Sequence, residues 1–327
     1  MKVMEPDVYG AFHCVGGKCP DTCCAAWEVV VDSRSAARYA AEPGPFGERL
    51  RAAMTQDGED TVFRLEDGRC PFLNRENLCD IYLALGEGAL CRTCTLYPRF
   101  FHVYGGITER GLSLSCPEAA RLLLNGHSPP AFVTREEPGL PEPNELNPVL
   151  YLALRRCREQ IFAFLQNDLP LREKAGRLLA AGEAIQRKIN GRRYKSIEAA
   201  CGEALQKEGV RLSAAQWLPL WQGLEFLGPE LPRRLALLVA GENFPEISGP
   251  AEVLCEQALV YFVYRYFLEG AWDRQVLPRV RLVLRLLGLC AALCGEETEE
   301  DALRRCISLC CKEVEHNEEN LQRMMSK

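Results

Sequence analysis

The sequence predicts a mostly α-helical protein in which a small cysteine-rich α+β metal-binding domain precedes an all-α domain. Seventeen of the 327 residues are cysteine, and nine of these lie within the first 116 residues. A stretch with six prolines in 22 residues, 127–148, follows this part of the chain. Proline blocks helix and sheet interiors, so the stretch is predicted to be an extended linker between a domain at 1–126 and a domain at 149–327.

Composition narrows the class of protein. The net charge of −6 gives no reason to expect a nucleic-acid partner. The sequence shows no secretory signal and no run of about 18 apolar residues, so we expect a cytoplasmic protein that does not enter a membrane. In that reducing compartment dense cysteine indicates metal binding or catalysis, and a disulfide scaffold is the least favoured interpretation.

Short elements alternate in the first domain. "EVVVD" (28–32) and "TVFRL" (61–65) are typical of strands. "RFFHVYGGITERGLSLS" (99–115) predicts a hairpin that turns at Gly105-Gly106, and 117–125 predicts a short helix that Gly126 ends. Such short elements bury little surface, so we expect a metal to supply part of the folding energy of this domain.

Helical patterns fill the second domain. Asn147 followed by Pro148 is typical of a helix start, with a capping side chain and a proline at the first helical position. Beyond it Leu150, Leu154 and Ile161 recur at helical spacing. We predict about seven helices over 149–320, given ordinary helix lengths.

The nine cysteines of the first domain are predicted to lie in loops and at element ends rather than on an apolar face. Small buried hydrophobic residues are the usual interpretation of a lone cysteine, but nine at loop positions favour metal ligands. Cys19, Cys70 and Cys116 each precede proline, as is familiar at iron–sulfur ligands. The chain has four histidines, and Cys91/Cys94 is the one CxxC pair among the nine, so an iron–sulfur cluster is favoured and zinc stays open.

A second group of cysteines lies near the end of the chain. Cys290 and Cys294 are four residues apart, and Cys306, Cys310 and Cys311 repeat that step. Two facing helices could join them as a second metal site. Because both runs lie on apolar faces, packing of small side chains is the favoured interpretation.

Three segments resemble the flagellin lysine-N-methylase family. They are "FHCVGGKCPDTCCAAWEVVVD", "GRCPFLNRENLCDIYLALGEGALCRTCTLYPR" and "GITERGLSLSCPEAARLLL", which together contain all nine cysteines between residues 12 and 124. Part of this pattern is also similar to a wider group of small zinc- or iron-chelating CxxxCC domains. The helical domain resembles the family only loosely.

The resemblance implies a 4Fe-4S cluster, S-adenosylmethionine as methyl donor and flagellin lysines as substrate. Cys91 falls where the family has another residue, and Ala26 stands where it has glycine before Trp27. Eight thiols exceed the ligands of one such cluster, so a second site or structural cysteines are implied. The cysteines that match the family are Cys14, Cys19, Cys23, Cys24, Cys70, Cys79, Cys94 and Cys116.

The chemistry implied is displacement of the methyl group by a neutral lysine amine, which needs a desolvating site or a base. Radical chemistry is not favoured, because the third position of a CxxxCxxC motif begun by Cys19 and Cys23 is Ala26. Candidate catalytic residues are Tyr97, Glu109 and Tyr82, and candidate donor-binding residues are Arg99 and Asp21. The alternatives are a non-catalytic zinc or iron carrier and a structural zinc domain that presents the helical domain to a partner.

Overall fold

A computed structural model describes residues 1–138, 145–238, 244–295 and 297–326. Helices make up most of this part of the chain, and its strands all lie within the first 136 residues. The prediction of a mostly helical protein with strands in its first part is confirmed. No helix in the described ranges combines the length and the apolar character that crossing a membrane requires.

Seven strands form two sheets in the described residues. They are β1 (Lys2–Pro6), β2 (Val29–Val30), β3 (Met54–Asp57), β4 (Asp60–Phe63), β5 (Arg99–Tyr104), β6 (Ile107–Leu112) and β7 (Phe132–Glu136). The larger sheet has the order β5-β6-β1-β7, in which β1 is parallel to β6 and antiparallel to β7. The predicted hairpin is confirmed as β5–β6, and Gly105 at its turn has a φ of 63°.

Strand β7 lies inside the stretch predicted to be a linker. It pairs with β1 at the edge of the larger sheet, from Lys2 opposite Glu136 to Pro6 opposite Phe132. Pro129, Pro130 and Pro138 flank this strand and do not interrupt it, which is why an edge strand fits in a proline-rich segment. Residues 139–144 of the predicted linker lie outside the described residues.

The smaller sheet has the order β2-β4-β3 and carries the two strands predicted at 28–32 and 61–65, each shorter than predicted. Five short helices lie between the strands of this sheet or after them in the sequence: α1 (Ser33–Ala41), α2 (Gly44–Ala53), α3 (Asp80–Leu85), α4 (Arg92–Leu96) and α5 (Pro117–Leu123). Leu50, Phe63 and Phe72 form a small core there, and the buried thiols of Cys70 and Cys91 belong to it.

Ten α-helices follow in the described residues, where about seven were predicted. They are α6 (Pro148–Leu165), α7 (Leu171–Asn190), α8 (Ile197–Gln206), α9 (Ala214–Gln222), α10 (Glu230–Leu237), α11 (Pro250–Tyr266), α12 (Gly270–Asp273), α13 (Val276–Cys294), α14 (Glu300–Glu315) and α15 (Glu318–Met325). The predicted start at Asn147 is confirmed, since its side chain accepts hydrogen bonds from Val149 N and Leu150 N. The added helices are short, so they show little apolar periodicity in the sequence.

One large core joins residues of the two predicted domains. The Tyr261 hydroxyl on α11 lies 2.7 Å from both the amide N and the carbonyl O of Leu112 on β6. Arg158 on α6 pairs with Glu109 on β6, and each side chain is 2% exposed. The larger sheet is thus packed against α6 and α11. The division of the chain into two domains stays a prediction.

Candidate functional site

Eight of the nine cysteines of the first 116 residues lie in loops, in turns or at helix starts, as predicted, whereas Cys94 lies within α4. Cys116 belongs to the large core, whereas Cys70 and Cys91 belong to the small one. Cys23 and Cys24, adjacent in sequence, interact with thiols on either side. These loops therefore bring thiols to the place where the two cores meet.

A first thiol group contains Cys14, Cys19, Cys23 and Cys116. Burial, with charge on Cys19 and Cys14, raises the pKa of the Cys116 thiol to about 11. Burial also raises the pKa of Cys19, and charge on Cys14 adds to that effect. A hydrogen bond to Cys24 is the largest of the effects that hold the pKa of Cys23 well above its ordinary value. Burial and the charges on Cys24, Cys14 and Cys116 act in the same direction. The four thiols thus influence one another electrostatically.

A second thiol group contains Cys24, Cys70, Cys79, Cys91 and Cys94. Burial raises the pKa of Cys70 to about 12, and charge on Cys24, Cys79 and Cys91 contributes. Cys94 shares a hydrogen bond with Cys91, which lowers the pKa of Cys91 to about 7. Cys23 and Cys24 connect the two groups, because they interact with each other and Cys23 also acts on Cys94.

Thiols are the ligand type that a four-iron cluster takes, and such a cluster takes four of them. Within the described residues, no three His, Cys, Asp or Glu side chains are arranged so that they could hold one metal ion. The thiols therefore match an iron–sulfur cluster in the chemistry of the donor, but they are not arranged as a closed cage. Binding of iron or zinc by these cysteines stays a prediction.

A cavity of about 360 Å³ is lined in part by Trp27, Tyr97 and Ser113, each of which is three residues from a cysteine in sequence. Charge on Cys116 and Cys23 adds to the effect of burial in raising the pKa of Tyr97, which lines this cavity. The full lining comes from the cysteine-rich segment, the β5–β6 hairpin and helices α11, α14 and α15: Trp27, Tyr97, Pro98, Arg99, Phe100, Ser113, Arg265, Glu315, His316, Glu318 and Leu321. We call this the interface cavity.

Three aromatic side chains form one wall of the interface cavity. The ring centroids of Trp27 and His316 are 4.5 Å apart, those of Tyr97 and His316 5.5 Å, and those of Trp27 and Tyr97 5.7 Å. Ala26 holds a φ of 75° immediately before Trp27. Glycine adopts this left-handed region at little cost, which accounts for a glycine at this position in the family pattern.

A hydrogen-bond network backs the aromatic wall. Ser115 Oγ lies 3.1 Å from Tyr97 Oη and 3.0 Å from His316 Nε2. Ser113 Oγ donates to Glu315, whose other oxygen accepts from Tyr266 Oη at 2.7 Å. Burial, together with the charges of Lys312 and Arg265, lowers the pKa of His316 to about 3. The imidazole is therefore neutral at physiological pH.

The structure brings two of the predicted site residues to the interface cavity and leaves three elsewhere. Tyr97 and Arg99 line the cavity. Asp21 accepts from Lys312 Nζ at 2.9 Å, beside Cys19. Glu109 is held in the buried ion pair with Arg158, and Tyr82 is 50% exposed on α3. Their catalytic and donor-binding roles stay predictions.

Sequence analysis did not single out Arg265, Glu315 or His316. They come from α11 and from the end of α14, far along the chain from the cysteine loops. The sequence does contain one feature that could have drawn attention to His316: it is one of four histidines and follows an acidic residue at a helix end. Their approach to Trp27 depends on tertiary packing.

The second cysteine group forms a chain of buried thiols. The thiols shift one another's pKa in pairs: Cys255 with Cys294, Cys294 with Cys306, Cys306 with Cys310, and Cys290 with both Cys310 and Cys311. All six thiols are buried in the helical core. This burial is what the favoured interpretation, packing of small side chains, requires. A larger cavity of about 500 Å³ between α7 and α8 is lined by alanine, serine and charged side chains and contains no cysteine or aromatic residue.

Comparison with known proteins gives three relatives from Salmonella. The chain is 30% identical over 137 residues to the flagellar biosynthetic protein FliU of Salmonella muenchen, a match that covers 38% of this chain and 77% of FliU. It is 30% and 29% identical over 137 residues to the lysine-N-methylases of Salmonella choleraesuis and Salmonella typhimurium. The chain spans 32% of the length of each of these two relatives. No family model and no solved structure matches the chain.

Proposed function

Because the chain belongs to the family of the flagellar biosynthetic protein FliU, with relatives named lysine-N-methylase, we propose that it is a protein lysine N-methyltransferase. The donor proposed is S-adenosylmethionine, and the substrate proposed is a surface lysine of flagellin. The observation that carries the proposal is the interface cavity, where an aromatic wall, charged side chains of both signs and a hydrogen-bond network meet, and where charge on Cys116 and Cys23 acts on Tyr97. Its volume lies within the range of about 300–1,000 Å³ that is usual for small-ligand sites.

The cavity suits a lysine that must lose its charge. A lysine amine has an ordinary pKa of about 10.4, and only the neutral amine can attack a methyl group. The rings of Trp27, Tyr97 and His316 would desolvate the amine and so disfavour the ammonium form. Since His316 is neutral, its ring adds no repulsion, and it can accept a hydrogen bond from the incoming amine.

The proposed reaction is a displacement in which the amine nitrogen bonds to the methyl carbon and the carbon–sulfur bond breaks. S-adenosylhomocysteine leaves, and the proton that the lysine loses passes to solvent or to the network behind the wall. Tyr97 Oη and His316 Nε2 both meet Ser115 Oγ, so the network can hold the two side chains in fixed positions. Such positioning is a large part of what a methyl transfer requires.

An iron–sulfur cluster is proposed at the first thiol group, held by Cys14, Cys19, Cys23 and Cys116. Two of these cysteines precede proline, as at known cluster ligands, and the group adjoins the cavity. When bound, such a cluster would supply a Lewis-acidic iron beside the donor. Zinc at the same thiols is the alternative metal, and a non-catalytic metal carrier is the alternative function.

The test compares two tyrosines. With radiolabelled S-adenosylmethionine and flagellin, anaerobically prepared protein should label lysines and release S-adenosylhomocysteine. Tyr97→Phe keeps the ring but loses the hydroxyl on Ser115, and we expect a loss of activity of roughly tenfold or more. Tyr82→Phe on the exposed face of α3 should keep wild-type activity.

Either of two results would count against the proposal. If the wild-type protein binds iron but never labels flagellin, the metal-carrier function is supported instead. If Tyr82→Phe abolishes labelling whereas Tyr97→Phe does not, the interface cavity is not the site. Circular dichroism of both variants shows whether the fold is retained.

A further inference from the structure

The larger sheet has two edge strands, β5 and β7, and they differ in how they are protected. An edge strand is open to pairing with another chain, and proteins usually block it with proline and charged side chains. Prolines flank β7, and its exposed residues are Thr134, Arg135 and Glu136. Strand β5 has the sequence "RFFHVY", which contains no proline and one arginine, at its start. Its sequence therefore does little to prevent another strand from pairing with it.

Alternate residues of β5 direct their backbone groups away from β6. Ser113 N donates to Pro98 O at 2.7 Å, a bond that continues the β5–β6 pairing by one residue. Hydrogen-bonded and non-hydrogen-bonded pairs alternate in an antiparallel ladder, so the even-numbered residues of β5 bond to β6. The outward N–H and C=O groups therefore belong to Arg99, Phe101 and Val103. Within the described ranges, none of these backbone groups has a hydrogen-bond partner.

This free edge starts at the interface cavity. Pro98 lies just before β5, Arg99 and Phe100 begin the strand, and all three line the cavity. The exposed side chain of Glu318 belongs to the same lining, and its carboxylate would attract a lysine. An extended chain that runs along β5 would therefore bring one of its side chains to the cavity.

Exposed aromatic residues follow the same edge. Phe101, in the middle of β5, is 45% exposed, and Trp272 is 46% exposed. Trp272 lies at the far end of the strand, with its ring centroid 6.4 Å from that of Tyr104. When a peptide adds a strand to a sheet edge, main-chain hydrogen bonds are joined by side-chain contacts at alternate positions. The two aromatic residues supply apolar surface for such contacts.

We infer that the free edge of β5 pairs with an extended segment of the substrate protein, and that this pairing delivers the lysine to the interface cavity. The inference rests on the proposed function for the identity of the partner. The segment would bond to the backbone of Arg99, Phe101 and Val103, with its lysine at the Arg99 end. The cavity at one end of the edge favours a substrate segment over a second copy of this chain, and the experiment separates these two occupants.

The experiment measures the binding of monomeric flagellin to the immobilised full chain by biolayer interferometry. Phe101→Pro removes an outward N–H and places a ring on the free edge, but it breaks no bond to β6. We expect this variant to bind flagellin roughly tenfold more weakly, because the segment loses hydrogen bonds along β5. Phe101→Ala removes the aromatic ring and keeps the N–H, so its loss of affinity should be clearly smaller.

The matched control is Thr134→Pro on β7, at the opposite edge. Asp7 N donates to Ala131 O at 3.0 Å, and the alternation from this pair gives Thr134 an outward N–H as well. Thr134→Pro should bind flagellin as the wild type does, and circular dichroism shows whether both proline variants are folded.

A second measurement uses the wild type alone, so it does not depend on the folding of a variant. In hydrogen exchange followed by mass spectrometry, flagellin should slow exchange in a peptide that spans β5. Exchange in a peptide that spans β7 should be unchanged.

Several results would overturn the inference. They are no binding of flagellin by the wild type, equal affinity of the wild type and Phe101→Pro, and unchanged exchange at β5 when flagellin is bound. Equal losses in Phe101→Pro and Phe101→Ala would mean that the ring, and not the backbone edge, makes the contact. If light scattering finds a dimer for the wild type and a monomer for Phe101→Pro, a second copy of the chain occupies the edge instead.

Failure of this inference can be told from failure of the proposed function. If binding depends on β5 as expected but no lysine is methylated, the edge binds the substrate protein and the proposed reaction is wrong. If the wild type and Phe101→Pro methylate flagellin equally well, the reaction stands and the substrate protein binds elsewhere.

Discussion

Trp27 and His316 lie edge to face with ring centroids 4.5 Å apart, although one is near the start of the chain and the other near its end. Trp27 follows the Cys23-Cys24 pair, and His316 caps α14. Their contact is where the cysteine loops meet the helical part of the chain. An active site built there would need both parts of the chain in place, which makes stability and activity closely linked.

The ion pair of Glu109 and Arg158 is expected to stabilise the fold rather than to act in catalysis. Arg158 Nη1 lies 2.7 Å from Glu109 Oε2, and both side chains are 2% exposed. Glu109→Gln leaves a buried guanidinium without its counter-charge, so we expect a loss of about 3–5 kcal/mol in the free energy of unfolding. Urea denaturation followed by circular dichroism measures this change.

Two controls accompany that measurement. The pair of Glu198 and Arg156 is exposed, so Glu198→Gln should cost less than about 1 kcal/mol. The double variant Glu109→Leu, Arg158→Met removes both charges and should recover much of the loss. Equal stability of Glu109→Gln and Glu198→Gln would leave Glu109 open as a functional residue.

Local elements could be predicted from the sequence where the residues that start, turn or end the element lie within one short segment. Gly105-Gly106 between two strand-forming runs predicts the hairpin, and Asn147 before Pro148 predicts the start of α6. Strands β1 and β7 were not predicted, because they pair with each other across more than 100 residues and β7 lies in the stretch interpreted as a linker. Local periodicity carries no information about such pairing.

The same limit applies to the candidate site. Loop-placed cysteines and their proline neighbours indicated thiol chemistry, and Tyr97 and Arg99 lie close to them in sequence. Arg265 and His316 reach the cavity only because α11 and α14 pack beside the cysteine loops. Sequence spacing gives no measure of that approach, since the residues are separated from Trp27 by most of the chain.

Acid should destabilise the protein through His102. Burial, with the charges of Arg265, Arg158 and Arg279 on three surrounding helices, lowers the pKa of His102 to about 4, and Glu269 Oε1 lies 3.5 Å from its Nε2. The folded state thus holds a neutral imidazole, whereas the unfolded chain protonates near its ordinary pKa of about 6.5. The stability that neutral His102 contributes is fully present above about pH 6.5. It is lost as the pH falls toward about 4.

The difference between these two pKa values corresponds to about 3 kcal/mol. Thermal or urea unfolding between pH 7 and pH 4.5 should show a clearly smaller decline for His102→Phe than for the wild type. His127→Phe, at an exposed histidine, should follow the wild-type curve. Parallel curves for the wild type and His102→Phe would show that His102 does not contribute to the acid sensitivity.

The iron content of cysteine variants should show whether the first thiol group, and not the thiols in the helical core, binds iron. Anaerobically prepared protein is expected to hold about four iron and four sulfide per chain if one cluster is present. Cys116→Ala removes a proposed ligand beside the interface cavity and should lose most of the iron, whereas Cys310→Ala, in the helical core, should keep it.

Elemental analysis, acid-labile sulfide and visible absorption measure the content, and circular dichroism shows whether each variant is folded. Loss of iron from Cys310→Ala with retention in Cys116→Ala would place the cluster in the helical core, and stoichiometric zinc without sulfide in protein made with ample iron would replace the cluster by a zinc site.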